Sequence, residues 1–190
     1  MGKLRIRTSL VAGLAIVTLL YAGSWVGADG NRNRFKARLH GYNEVPAVSS
    51  TGSGEFRARI HRDGLAVDWE LSYEGLEGAP TTASHIHFGQ KDVNGGVSVF
   101  LCGGGGRPAC TPGFGTFSGI FTAADVIGPA GQGIAAGELS ELIAAIRAGK
   151  TYANVHTDKH PGGEIRGQVG RDRRDDDDHD NDDHDDDDED

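Results

Sequence analysis

The chain has 190 residues and a formal charge of −9, with 37% hydrophobic residues, 30 glycines and two cysteines. That length gives room for one ordinary domain, and the glycine content favours strands joined by tight turns over a helical bundle. The charge is concentrated at one end: residues 171–190 carry 14 acids against three arginines, the rest of the chain sums to +2, and nothing in the body points to nucleic acid as a partner.

The first segment runs from a basic stretch, Met1 to Arg7, through an apolar run from Leu10 to Tyr21, to the small residues of Val26-Gly27-Ala28. This is the pattern of a Sec-type signal peptide over residues 1–28, and it predicts a secreted or cell-envelope protein. The apolar run is shorter than the ~20 residues a spanning helix needs. No other segment is long and apolar enough to span, so no membrane span is expected after cleavage.

Residues 29–34 form a polar lead-in, and the folded domain is expected over 35–170. Phe35 to Leu39 alternates apolar and polar residues, as a half-buried strand does. A turn-rich segment, His40 to Ala47, follows, with Pro46 fixing its own φ. Gly54 to His61 alternates again, with Phe56, Ala58 and Ile60 opposite Arg57, Arg59 and His61; Asp63-Gly64 is a hairpin turn, and Leu65, Val67, Trp69, Leu71 and Tyr73 share one face of the return strand. Ala83 to Gly89 is a further strand, then a turn at Asn94-Gly95-Gly96 and a strand over Val97 to Leu101.

Cys102 and Cys110 enclose a glycine-rich loop, and in an exported protein such a pair closes as a disulfide. The spacing is not that of a metal or redox CxxC pair, and no Gly-Lys-Ser/Thr follows the glycines to make a P-loop. Gly113 to Phe121 reads as another strand, and Thr122 with Asp125 as a helix start. Leu139, Leu142, Ile143 and Ile146 recur at helical spacing up to Gly149, which predicts one short helix. Thr151 to Thr157 and Gly163 to Gly170 then form a final hairpin. The expected fold class is mainly β, an Ig-like or Greek-key antiparallel β-sandwich with one short helix. The Asp/His tail, 171–190, is too charged to bury a core and is expected to be disordered and solvating with no dedicated ligand, its carboxylates with His179 and His184 offering at most weak sites for divalent cations as the alternative.

The chemistry centres on Ala83-Ser84-His85-Ile86-His87-Phe88. On a strand His85 and His87 share a face, about 6.6 Å apart by the strand rise, close enough to lean onto one ion. His156, in Tyr152-Ala153-Asn154-Val155-His156-Thr157, is a third imidazole on a strand of similar pattern.

Several separated phrases, Ala37 to Pro46, Ala83 to Gly89, Asn94 to Val97, and Tyr152 to Thr157 continuing through Pro161-Gly162-Gly163-Glu164-Ile165-Arg166-Gly167-Gln168, together resemble the CHRD domain, found in chordin and in bacterial exported proteins. The resemblance covers residues 35–169. It departs at Ala47, where the family often has a second proline, and at the cysteine loop. It implies an Ig-like sandwich distantly similar to copper–zinc superoxide dismutase, with no settled biochemical function. Glu44, Pro46, Asn154, Glu164 and Arg166 are then structural members of the family motif. In that comparison His85, His87 and His156 match three copper-type ligands, while the bridging histidine and the zinc loop have no counterpart, so dismutase activity is not expected.

Two roles for the three histidines stand side by side. One is a hydrogen-bonded polar cluster in an exported binding or structural module, with Glu164, Asn154 and Thr157 as partners and an unidentified protein or matrix component as ligand. The other is a three-histidine copper or zinc site. A third reading assigns association with envelope or matrix to the acidic tail. No Gly-x-Ser-x-Gly elbow is present, and the cysteines are expected to be paired, so nucleophilic catalysis is set aside. His40 and His61 read as solvent-facing, His160 as an exposed turn residue with a peripheral ligand as its alternative, and Glu44 and Glu164 as acids paired with amides or arginine.

Overall fold

The computed structural model describes residues 31–172. The signal peptide expected over 1–28, the first residues of the lead-in and the acidic tail beyond Asp172 lie outside the described residues. Nine strands and one α-helix follow in order: β1 (Arg34–His40), β2 (Ser53–Ile60), β3 (Val67–Glu74), β4 (Thr81–Phe88), β5 (Gly96–Cys102), β6 (Gly115–Phe121), α1 (Leu139–Arg147), β7 (Thr151–Thr157), β8 (Ile165–Gln168) and β9 (Gly170–Arg171). All pairings are antiparallel, in the order β5-β4-β7-β8-β1-β2-β3-β6, with β9 beside β1. The mainly β class with a single helix is as expected, and the two walls of the sandwich are halves of one nearly closed sheet.

The alternation read from sequence is the alternation observed. β3 buries Val67, Trp69, Leu71 and Tyr73 and turns Asp68, Glu70 and Ser72 outward. β2 pairs with it in the register Ile60↔Val67 to Ser53↔Glu74, joined through the Asp63-Gly64 turn, where Gly64 has φ +71°. Leu65 was expected on the buried face of this strand. It lies instead in the turn and is 69% exposed, because the strand begins only at Val67. Phe114 likewise sits before β6 and is exposed.

Phe35, Leu39, Phe56, Leu71, Ile86, Val99, Leu101, Val155 and Ile165 fill the interior. Leu139, Leu142, Ile143 and Ile146 of α1 join them along one helical stripe, and the helix stops at Gly149, φ +66°. The Thr122 start makes a capping box with Asp125 but carries only one 3-10 turn, Ala123–Asp125.

The two edge strands, β5 and β6, are consecutive in the chain and come close in space. The loop between them holds the Cys102–Cys110 disulfide. From it Arg107 donates to Ile120 O on β6 and to Asp125, and beyond β6 Ile127 N–H donates to Ser98 O on β5. These bonds occupy edge groups that would otherwise be left open to another chain.

Candidate metal centre on the polar face of the sheet

β4 is central between β5 and β7, so one of its faces supplies the core and the other meets the polar residues of its neighbours. Ile86 goes to the core. His85 and His87 take the opposite face, as the strand period requires. Against β7 the register is Ala83↔His156, His85↔Asn154 and His87↔Tyr152, so His156 is the diagonal neighbour of His85 on one face. Against β5 the ladder slips between Ser84 and His85 and again between Ile86 and His87; such bulges re-aim the side chains that follow them.

The result is a three-imidazole cluster. One ring nitrogen from each of His85, His87 and His156 lies within 4.8 Å of the others. His85 Nδ1 and His156 Nε2 are 3.2 Å apart. The His85 and His87 ring centroids are 5.3 Å apart, and Phe100 closes the far side of His85 edge-on at 4.5 Å. His85 and His87 are 8% and 7% exposed, while His156 is more open and marks the side facing solvent.

Hydrogen bonds assign the tautomers. His87 Nδ1 is 2.9 Å from Gly95 O, and His156 Nδ1 is 3.0 Å from Pro161 O. A carbonyl only accepts, so both Nδ1 atoms carry the proton and both Nε2 atoms carry the lone pair. His156 Nε2 also lies 3.0 Å from the side-chain amide of Asn154; a lone pair there is met by the amide nitrogen, which a half-turn of the side chain supplies. His87 Nε2 is buried and makes no hydrogen bond of good geometry, although the Asn154 side chain acts on this imidazole from nearby. Burial, with His156 and His87 as like-charged neighbours, pushes His85 down to about 3. Burial pushes His87 down to about 4 and lowers His156 as well. All three rings are therefore neutral near pH 7, the form that binds metals.

Tetrahedral coordination with 2.0–2.1 Å bonds sets ligand nitrogens roughly 3.3 Å apart. The His85–His156 pair is at that spacing; His156 Nε2 accepts there, so His85 Nδ1 carries the proton and would have to pass it to its own Nε2 before holding an ion.

Asn154 touches His156 as expected, but Glu164 and Thr157 bond to each other and not to an imidazole. Glu164, fully buried, accepts from Glu77 N–H, Gly78 N–H, Ser50 Oγ and Thr157 Oγ1 at 2.6–3.1 Å. Burial raises its pKa, and these donors outweigh that effect and hold it below the usual carboxylate range. Glu44 is 6% exposed, yet its Oε1 has no partner; burial pushes it up to about 7, against the attraction of Arg166. Gly163 has φ +128°, which only glycine adopts without strain, and a Cβ there would also stand 2.3 Å from that oxygen. Pro46 is exposed, and the carbonyl of its neighbour Val45 accepts from Asn94 Nδ2.

Arg166 is 2% exposed and donates to Asn94 Oδ1, Gln90 O and Val93 O. His61 pairs with Asp68 and is not simply solvent-facing; His160 is half-buried, with its Nε2 enclosed and unpartnered, and not an exposed turn residue. Sequence reasoning missed Tyr152, whose ring stacks on His87 at 4.7 Å and 5°. Its signal was position: it precedes Asn154 by two on one strand face.

Among the described residues no helix is long and apolar enough to cross a membrane. Comparison with curated proteins and with solved structures yields no match. The model of the CHRD domain matches residues 35–169, the span from the first residue buried in β1 to the residue after β8, which includes His85, His87 and His156, and the chain belongs to the CHRD domain family.

Proposed function

We propose that this protein is an exported CHRD module that binds a transition metal, copper or zinc, on His85, His87 and His156. The observation that carries the reading is the buried Nε2 of His87, left without a hydrogen bond of good geometry and directed by its Gly95 bond into a cluster with two other neutral imidazoles. A buried acceptor without a donor costs about 1–3 kcal/mol, a cost that coordination removes. Three neutral nitrogens suit copper and zinc, and carbonyl partners behind two of the rings match the outer-shell hydrogen bonds that orient metal-binding histidines. Export is supported by the basic and apolar pattern of residues 1–28 and by the closed disulfide. Weak divalent-cation binding belongs to the Asp/His tail, as does any contact with an unidentified envelope or matrix partner.

The test is calorimetric titration of the full chain with zinc and with copper(II), beside His87→Ala. Wild type should show one tight equivalent above the weak binding of the acidic tail, and His87→Ala should lose that equivalent and keep the weak step. Superimposable isotherms would leave the histidines as a hydrogen-bonded polar cluster only.

A further inference from the structure

Arg166 carries more than a family phrase. Its guanidinium carbon lies 3.4 Å from the centroid of the Tyr152 ring. That ring lies parallel to His87 on β4. Since β7 sits between β4 and β8, the three side chains form a row across three strands: imidazole, phenol, guanidinium.

The same guanidinium spans the loop between β4 and β5. Nη1 donates to Asn94 Oδ1 at 3.0 Å, and Nη2 to Gln90 O at 3.3 Å and Val93 O at 2.7 Å. The next residue in that loop is Gly95. Its N–H donates to Tyr152 Oη at 3.2 Å, and its carbonyl accepts from His87 Nδ1 at 2.9 Å. Asn94 Nδ2 in turn donates to Val45 O and ties the loop to the Glu44 turn. Arg166 therefore reaches His87 through the Tyr152 ring and through the loop, besides the direct repulsion of its charge, and its hydrogen bonds go to the loop and not to the three imidazoles.

Resting on the metal-site reading, we infer that Arg166 is a positioning residue of the centre: it clamps the Gln90–Gly95 loop and the Tyr152 ring so that His87 is held in its Nε2-ligating tautomer. Lysine cannot substitute, because one ammonium on a flexible stem does not reach three acceptors in a plane while lying flat on a ring. Outer-shell partners of this kind are worth roughly ten- to hundredfold in metal affinity.

The experiment uses the full chain, with Arg166→Lys, Asn94→Ala, His87→Ala and the double variant Arg166→Lys/His87→Ala. Zinc affinity is read by chelator competition, and the His87 tautomer in metal-free protein by two-dimensional nitrogen–proton correlation of the ring. Arg166→Lys should weaken zinc ten- to hundredfold and mix the His87 tautomers. Asn94→Ala, at an exposed position, should do the same more weakly and serves as the test if Arg166→Lys does not fold. In the His87→Ala background, Arg166→Lys should change nothing further. Wild-type affinity and a pure Nδ1–H tautomer in Arg166→Lys, or in Asn94→Ala if it stands alone, would overturn the inference, as would an undiminished Arg166→Lys effect without His87. If His87→Ala alone leaves zinc binding intact, the metal site itself fails. The tautomer measurement still decides the role of Arg166.

Discussion

At the scale of single residues, the polar face holds groups whose burial sets how the fold responds to acid. His85 and His87 titrate near 6.5 in an unfolded chain, and in the fold only at about 3 and about 4. Below pH 6.5 the unfolded chain takes up protons that the fold refuses, so this stabilisation is present above 6.5 and is lost as pH falls toward 4. Glu44 works the other way. Its carboxyl, ordinarily at 4.5, holds its proton up to about 7 in the fold, so its contribution is present below 4.5 and is lost as pH rises through 7. Between 4.5 and 6.5 the imidazoles outnumber the carboxyl, and the denaturant midpoint of the wild type should fall with acid, each uncompensated proton costing up to ~1.4 kcal/mol per pH unit. Glu44→Gln removes the opposing group. Its midpoint should exceed that of wild type at pH 8 and descend more steeply toward pH 4.5, and parallel curves for the two proteins would refute the assignment. The His-x-His pair was legible in the residues themselves, since strand alternation alone puts both rings on one side. The orphaned oxygen of Glu44 was not, because nothing local to Glu44 announces that Gly163, far along the chain, leaves room for it.

At the scale of elements, the β7–β8 hairpin organises the loops at its end of the sheet through one carboxylate. Glu164 gathers two amides of the Glu77-Gly78 segment, the hydroxyl of Ser50 and the hydroxyl of Thr157. Three connections are thereby joined at one buried negative charge. Glutamine at 164 keeps the shape but turns an amide N–H₂ toward donors. We expect Glu164→Gln to lose about 1.5–3 kcal/mol, the range for hydrogen bonds to a charged group. Urea unfolding measures it, and a midpoint within error of wild type would show that the loops are held by something else. Strands and the helix were readable from period: β2, β3 and β7 from alternation, and α1 from four apolar residues at helical spacing ending at Gly149. Leu65 shows the limit of that method, because alternation continues through the turn residues and cannot say where pairing stops. The sheet order was not readable either. β7 slots between β4 and β8 through contacts about 70 residues apart in sequence, and it is this placement, not any local pattern, that brings His156 to His85.

At the scale of the whole molecule, a sheet that curls until its first and last strands approach must manage the gap between them. Here the gap strands β5 and β6 are successive in the chain, so the shortest connection crosses the open seam. The disulfide sits at the start of that crossing, with Cys102 fully buried at the end of β5 and Cys110 nearly so. Arg107, inside the closed ring, reaches Ile120 O and Asp125 on the far side and lies over the Trp69 ring at 5.7 Å. Closing so short a ring restricts the unfolded chain by about 2–3 kcal/mol on the loop-entropy account. Without the bond, Arg107 also loses the fixed base from which it spans the seam, and the outer hydrogen-bonding groups of β5 and β6 become available to other chains. The double variant Cys102→Ala/Cys110→Ala should therefore unfold at a lower urea midpoint and also associate on concentration, seen as a rising scattering mass, while single substitutions of Arg107 should give the association with a smaller loss of stability. A double variant that is less stable yet strictly monomeric at high concentration would confine the disulfide to the unfolded chain, and the seam would then be closed by the Ile127–Ser98 bond and the packing of Phe121 and Val126 beneath it.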